Sequence, residues 1–155
     1  MINKVKINKY KSIVIFLIRL FIGSLFFLSG TLKLFEINKF NIIVAKFNII
    51  PINLVPIFSI ALILSEIICG LFLIIGIYIK ISSYVLILMN ISFIIAISIN
   101  IIRGNIIDCG CFGRLFSEKI GWRLLFRDFI LLGLLLCILS EKKFIYSIQK
   151  SFKSK

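Results

Sequence analysis

Histidine is absent from this chain of 155 residues, and with it the commonest general base and the commonest metal ligand. Acidic residues are scarce: six Asp and Glu stand against 19 Lys and Arg, a formal net charge of +13. Proline occurs only as Pro51 and Pro56, both at the start of an apolar run, where a missing N–H costs least. Charge of one sign on a polar chain would suggest a nucleic-acid binder or a disordered tail. Here it accompanies 61% hydrophobic residues, 16 of them Phe. One domain of this length cannot hide so much apolar surface, which excludes a water-soluble enzyme. The partner expected for the basic charge is therefore an anionic lipid surface, and not nucleic acid.

Four stretches are long and apolar enough to cross a bilayer, at about 20 residues each: 12–34, 54–79, 81–102 and 122–140. The expectation is an all-α protein, a four-helix transmembrane bundle forming one integral membrane domain over 1–155. Lys4, Lys6, Lys9 and Lys11 resemble the basic start of a signal peptide. The apolar run that follows is span-length and lacks a small-residue cleavage site, so it reads as an uncleaved anchor. Basic residues slightly favour the side carrying both termini, which predicts cytoplasmic termini in a multi-pass inner-membrane protein. Between the first two spans, Phe40, Ile43, Val44 and Phe47 recur at helical spacing, predicting a short interfacial helix over 37–50. Phe144, Ile148 and Phe152 give the tail after Glu141 a similar stripe among lysines.

Ionisable residues inside a span are costly and mark functional candidates. Arg19 lies about seven residues into the first span, Glu66 near the middle of the second, and Asn90 about nine residues into the third. Counted at helical rise, their depths predict an Arg19–Glu66–Asn90 cluster in the bundle interior. Two roles compete for it: an ion pair that only fixes which helices meet, or a site that binds a quinone or moves protons. Small residues recur at i, i+4 as Ala61–Ser65–Cys69, Ser92–Ala96–Asn100 and Gly133–Cys137, which predicts close helix approach along these stripes. Cys69 and Cys137 read as packing residues within them.

The segment richest in chemistry is Asp108-Cys109-Gly110-Cys111-Phe112-Gly113, after the third span. Gly110 permits the tight turn that would bring the two sulfurs together. A disulfide closed over so small a ring is strained and easily reduced, as a carrier of oxidising equivalents requires. Arg103 and Arg114 favour the thiolate, and Asp108 opposes it. The competing readings are a Cu(I) or Zn half-site, a structural disulfide, or two inert thiols. A metal would need two more ligands in a chain without His, so no metal site is expected. A persistent disulfide suits the outer, oxidising side.

An ordered set of residues gives the chain a resemblance to the MauE/DoxX-like redox-associated membrane proteins. It runs from Arg19 and the segment Gly23–Leu34, through Pro51, Glu66 and Gly76, to Arg103-Gly104, the Cys-Gly-Cys loop, Trp122 and Arg127-Asp128. The resemblance implies a four-helix membrane bundle. It also implies an accessory role in maturing disulfide-containing exported proteins, beside a thioredoxin-like extracytoplasmic partner, and a link to quinone-coupled thiol oxidation.

The leading expectation is a membrane thiol–disulfide redox protein. Cys109 and Cys111 would exchange with the thioredoxin-like partner and pass electrons to a quinone or another acceptor. Arg19, Glu66 and Asn90 would orient the quinone or shuttle protons, and Phe112 would wall the site. Four-helix quinone-linked disulfide generators carry two accessible cysteine pairs, whereas one is evident here. The alternatives are a non-enzymatic scaffold for a redox partner and, third, a small transporter of a sulfur compound or metal.

Overall fold

The computed structural model describes residues 2–103 and 122–140. The Cys-Gly-Cys segment, Phe112 and the basic tail lie outside the described residues. All regular structure among the described residues is helical: α1 (Ile2–Phe35), α2 (Ile37–Lys46), α3 (Val55–Ile75), α4 (Ile79–Ile102) and α5 (Trp122–Ser140), with one 3-10 turn at Ile52–Leu54. The four long helices form a ring in which α1 packs on α3 and α5, and α4 on α3 and α5; α2 lies against α3.

Among the described residues, three helical stretches are long and apolar enough to cross a membrane: Ile13–Phe35, Ile52–Ile75 and Ile79–Ile102. The expected fourth span is not among them. Its helix is present, but Arg123, Arg127 and Asp128 occupy its first two turns and leave a shorter apolar stretch. The break expected between the spans 54–79 and 81–102 comes earlier. Gly76 ends α3 in the left-handed region (φ 85°), and the Gly76 and Ile77 amides both donate to the Phe72 carbonyl. That is a glycine-capped helix end, which side chains with a Cβ resist. The short helix expected between the first two spans is present, with Phe40 and Val44 buried, but it stops at Lys46.

One stripe of α1 faces the ring interior: Arg19, Ile22, Phe26, Ser29 and Lys33, all buried at alternating spacings of three and four. On α3 the inward set includes Ile63, Glu66, Gly70 and Leu73; on α4, Leu86, Asn90 and Ile97; on α5, Asp128, Leu131, Leu135 and Ile138. Leu17, Phe21, Leu28, Leu88 and Phe126 point outward. Polar groups occupy interior positions while large apolar ones face out, the distribution required where lipid replaces water.

Axial register is set where α1 and α3 touch backbone to backbone. A Cβ placed on Gly70 would sit 2.8 Å from the Phe27 nitrogen and 2.9 Å from the Gly23 oxygen. Gly30 lies against Ile63, Glu66 and Ile67, so the two helices run antiparallel. These glycines provide the close approach that had been expected of the small-residue stripes. Gly133 has nothing within 4 Å of a Cβ position, and Cys137 is exposed, so the α5 stripe meets no partner among the described residues. Cys69 does pack, within an apolar core that includes Ile22, Leu73, Leu86 and Leu135.

Candidate functional site

The apolar core divides the buried polar residues into two groups. At one end Arg19 lies against the Gly76 backbone: a Cβ on Gly76 would meet the guanidinium at 3.1–3.3 Å. The guanidinium also stacks on Phe16, 5.1 Å from the ring centroid. A cation at the C-terminus of α3 faces the negative end of that helix's dipole. Arg19 therefore anchors a helix end, and it does not join Glu66 as expected. The α1 residue level with Glu66 is Gly30, eleven positions on and about 16 Å away at helical rise, beyond an arginine's reach. The expectation failed because depths were counted from span ends taken to lie in one plane, whereas the α1–α3 contact at Gly23 and Gly70 sets Arg19 level with Gly76, the very end of α3. Gly76→Ala should cost about 1–3 kcal/mol, from the left-handed backbone and the displaced guanidinium. Thermal unfolding of the detergent-solubilised chain measures this; an unchanged midpoint would contradict the anchoring role.

At the other end, Lys33 takes the place assigned to Arg19. Its Nζ donates to both carboxylate oxygens of Glu66, at 2.7 Å to Oε1 and 2.9 Å to Oε2, with both side chains at 3% exposure or less. Phe40 of α2 and Phe93 of α4 flank the ammonium, their ring centroids 5.3 and 5.1 Å from Nζ. Three helices thus converge on one lysine. Gly30 makes room for this, because a Cβ there would sit 3.2 Å from the Glu66 Cβ.

Beside this pair is a small cavity of about 30 Å³ bounded by Ser29, Lys33, Glu66, Asn90, Phe93, Arg127 and Asp128. Asp128 is buried and accepts from Arg127 Nε at 3.1 Å and Nη2 at 2.9 Å. The cluster joins two cations, two carboxylates, an amide and a hydroxyl from four helices. Asn90 shares this cavity with Glu66, as its depth predicted, and its Oδ1 has no hydrogen-bond partner among the described residues. The volume accommodates about one water molecule. The paired charges and confined space suit holding or relaying a proton; they do not suit binding a large ligand.

A second cavity of about 510 Å³ lies between α2, α3 and α4 and is almost wholly apolar. Ser65 and Ser92 on its walls donate to their own helix carbonyls, Leu62 at 2.8 Å and Leu88 at 2.9 Å. Phe93 borders both cavities. Neither fits a quinone among the described residues: the polar cavity is too small for the ring, and the apolar one turns its hydroxyls away from a ring carbonyl.

Lys33 and Asp128 are the site residues the sequence reading missed. Lys33 had entered only inside the segment Gly23–Leu34 of the family resemblance. Its signal was periodic: it continues the Arg19–Ile22–Phe26–Ser29 stripe at the next position. Asp128 had entered only through the family resemblance.

A helical membrane protein with a buried, charge-paired polar cluster at one end of its bundle is the class these features define. The family model for methylamine utilisation protein MauE matches residues 11–140, and the chain belongs to that family. No curated protein and no solved structure matches the chain.

Proposed function

We propose that this MauE-family protein is a membrane accessory in thiol–disulfide exchange, with Cys109 and Cys111 as the exchanging pair. The carrying observation is the position of the polar cluster. α4 ends at Ile102 and α5 begins at Trp122, and the segment joining these ends bears both cysteines. Asp128 and Arg127 lie in the second turn of α5 from that junction. The cluster therefore lies on the side of α4 and α5 that leads to the cysteine segment, with Asp128 about 9 Å from the start of α5 and Asn90 about 18 Å from the end of α4 at helical rise.

In the proposed exchange, a thiolate of an extracytoplasmic thioredoxin-like partner attacks one sulfur of the Cys109–Cys111 disulfide. The S–S bond breaks, a mixed disulfide forms, and the other cysteine leaves as a thiolate that takes up a proton. The partner's second thiol then resolves the mixed disulfide. The partner ends as a disulfide and Cys109 and Cys111 as two thiols, a transfer of two electrons and two protons. Protons released and taken up in these steps are what a carboxylate cluster next to the junction can buffer. The proposal includes α5 as a fourth span, with Arg127 and Asp128 paired toward the cluster and Arg123 exposed in its first turn, and both termini in the cytoplasm of the inner membrane.

Cys111→Ser should trap a mixed disulfide through Cys109, visible as a thiol-reversible adduct on non-reducing gels of membranes. Replacing both cysteines should abolish the adduct while leaving the protein at its normal membrane level. Wild-type oxidation of an exported disulfide-dependent reporter in the doubly substituted strain would instead favour the scaffold reading. The fully paired charges of the cluster already suit a scaffold that only positions its partner.

A further inference from the structure

We infer that the apolar cavity between α2, α3 and α4 is a seat for one acyl chain of an anionic phospholipid, whose headgroup is held by Lys46 and Arg103. The first observation is shape. On α4 the cavity runs from Leu88 to Ile99, about 16 Å at helical rise, and one leaflet's hydrocarbon is about 15 Å deep. Its walls include the exposed Ala61, Ser92 and Ile95, so it is open along the bundle's outer surface. Small side chains face each other here, Ala61 and Ser65 on α3 across from Ser92 and Ala96 on α4. The i, i+4 stripes of these helices thus line a groove, where close contact had been expected.

The second observation is chemistry. The Ser92 hydroxyl bonds to its own helix and the Ser65 hydroxyl to its own helix and Met89 Sδ, so the groove recognises hydrocarbon and leaves the polar head to the rim. The rim is cationic. Arg103 follows Ile99 by one turn on the same face of α4 and is exposed. Lys46 precedes the lining residue Phe47 at the end of α2, is also exposed, and makes no ion pair among the described residues. Basic side chains at the membrane surface favour anionic headgroups, and the chain's net charge of +13 acts in the same sense.

The third observation is what an occupant would change. Phe40 and Phe93 line the groove and also flank the Lys33 ammonium. A chain in the groove packs on the outer faces of the two rings that hold the buried ion pair, so lipid occupancy and the polar cluster share two side chains.

The test is native mass spectrometry of the full chain released from nanodiscs containing equal phosphatidylglycerol and phosphatidylethanolamine, with menaquinone added in a parallel arm. The expected result is one retained phospholipid, phosphatidylglycerol preferred. Each of Lys46→Ala and Arg103→Ala should reduce that preference on the order of fivefold. Ala96→Phe should abolish retention by filling the groove, and Ala61→Phe does the same from the facing helix should the first variant fold poorly. Circular dichroism confirms that the tested variants are helical. Equal retention of the two phospholipids, unchanged retention in both groove-filled variants, or displacement of phospholipid by menaquinone would each overturn the inference.

Discussion

Glu66→Ala should destabilise the bundle by about 3–5 kcal/mol, because it removes the carboxylate that holds the buried Lys33 ammonium, while Asp128 across the small cavity is already paired with Arg127. Lys33 gives both its short contacts to that carboxylate, and its remaining described neighbours include two phenyl faces. The rings contribute about 0.5–2 kcal/mol each and cannot replace an ion pair in a medium without water. The double variant Lys33→Met/Glu66→Leu should recover most of the loss, since an apolar pair of similar volume has no desolvation cost. Reversible unfolding in mixed micelles, followed by far-UV circular dichroism, measures both. A single variant as stable as the wild type, or a double variant worse than the single, would show that the pair does not hold the bundle. The double variant also separates structure from function: if the cluster only braces the fold, reporter oxidation should persist in it, whereas a proton-handling cluster would leave a folded, inactive protein.

Gly70→Leu should be the other severe substitution. The obstacle is the Cβ itself, 2.8 Å from the Phe27 nitrogen and 3.2 Å from its Cα, and both belong to a backbone that cannot swing aside. Overpacking of this kind costs about 1–3 kcal/mol, and here relief requires α1 and α3 to separate along their main contact. Gly70→Ala should show much of the effect and Gly70→Leu more, whereas Gly133→Leu on the open face of α5 should be nearly silent. Unfolding midpoints of the three variants in one detergent make the comparison. Equal loss at Gly133 and Gly70 would mean that the α1–α3 approach is not what sets the packing.

The parts of the site that were legible in the sequence were those that depend on one helix at a time. Glu66 and Asn90 could be placed in the interior because ionisable and amide groups avoid lipid, whatever the neighbouring helices do. Arg19 was recognised as inward-facing for the same reason, and it is buried. Its partner was misassigned because depth was counted from span ends as if they shared a plane, whereas Arg19, about seven residues into its expected span, lies level with the end of α3. Lys33 was overlooked because a lysine closing an apolar run resembles an interfacial anchor. Only the continuation of the buried stripe distinguishes the two.

Composition, run length and heptad-like spacing therefore determined that this chain is helical, membrane-embedded and polar on its inner faces. They also determined that α2 lies amphipathically against the bundle, because each of these properties is settled within a single helix and its solvent. The tertiary structure alone decided which polar groups meet. Pairing depends on the axial and rotational register between helices, and that register is set by the contact of Gly23 with Gly70 and by the left-handed cap at Gly76. Once that contact is made, Lys33 is within reach of Glu66, and Arg19 is level with the end of α3. An offset of one helical turn would have paired different residues from the same sequence pattern.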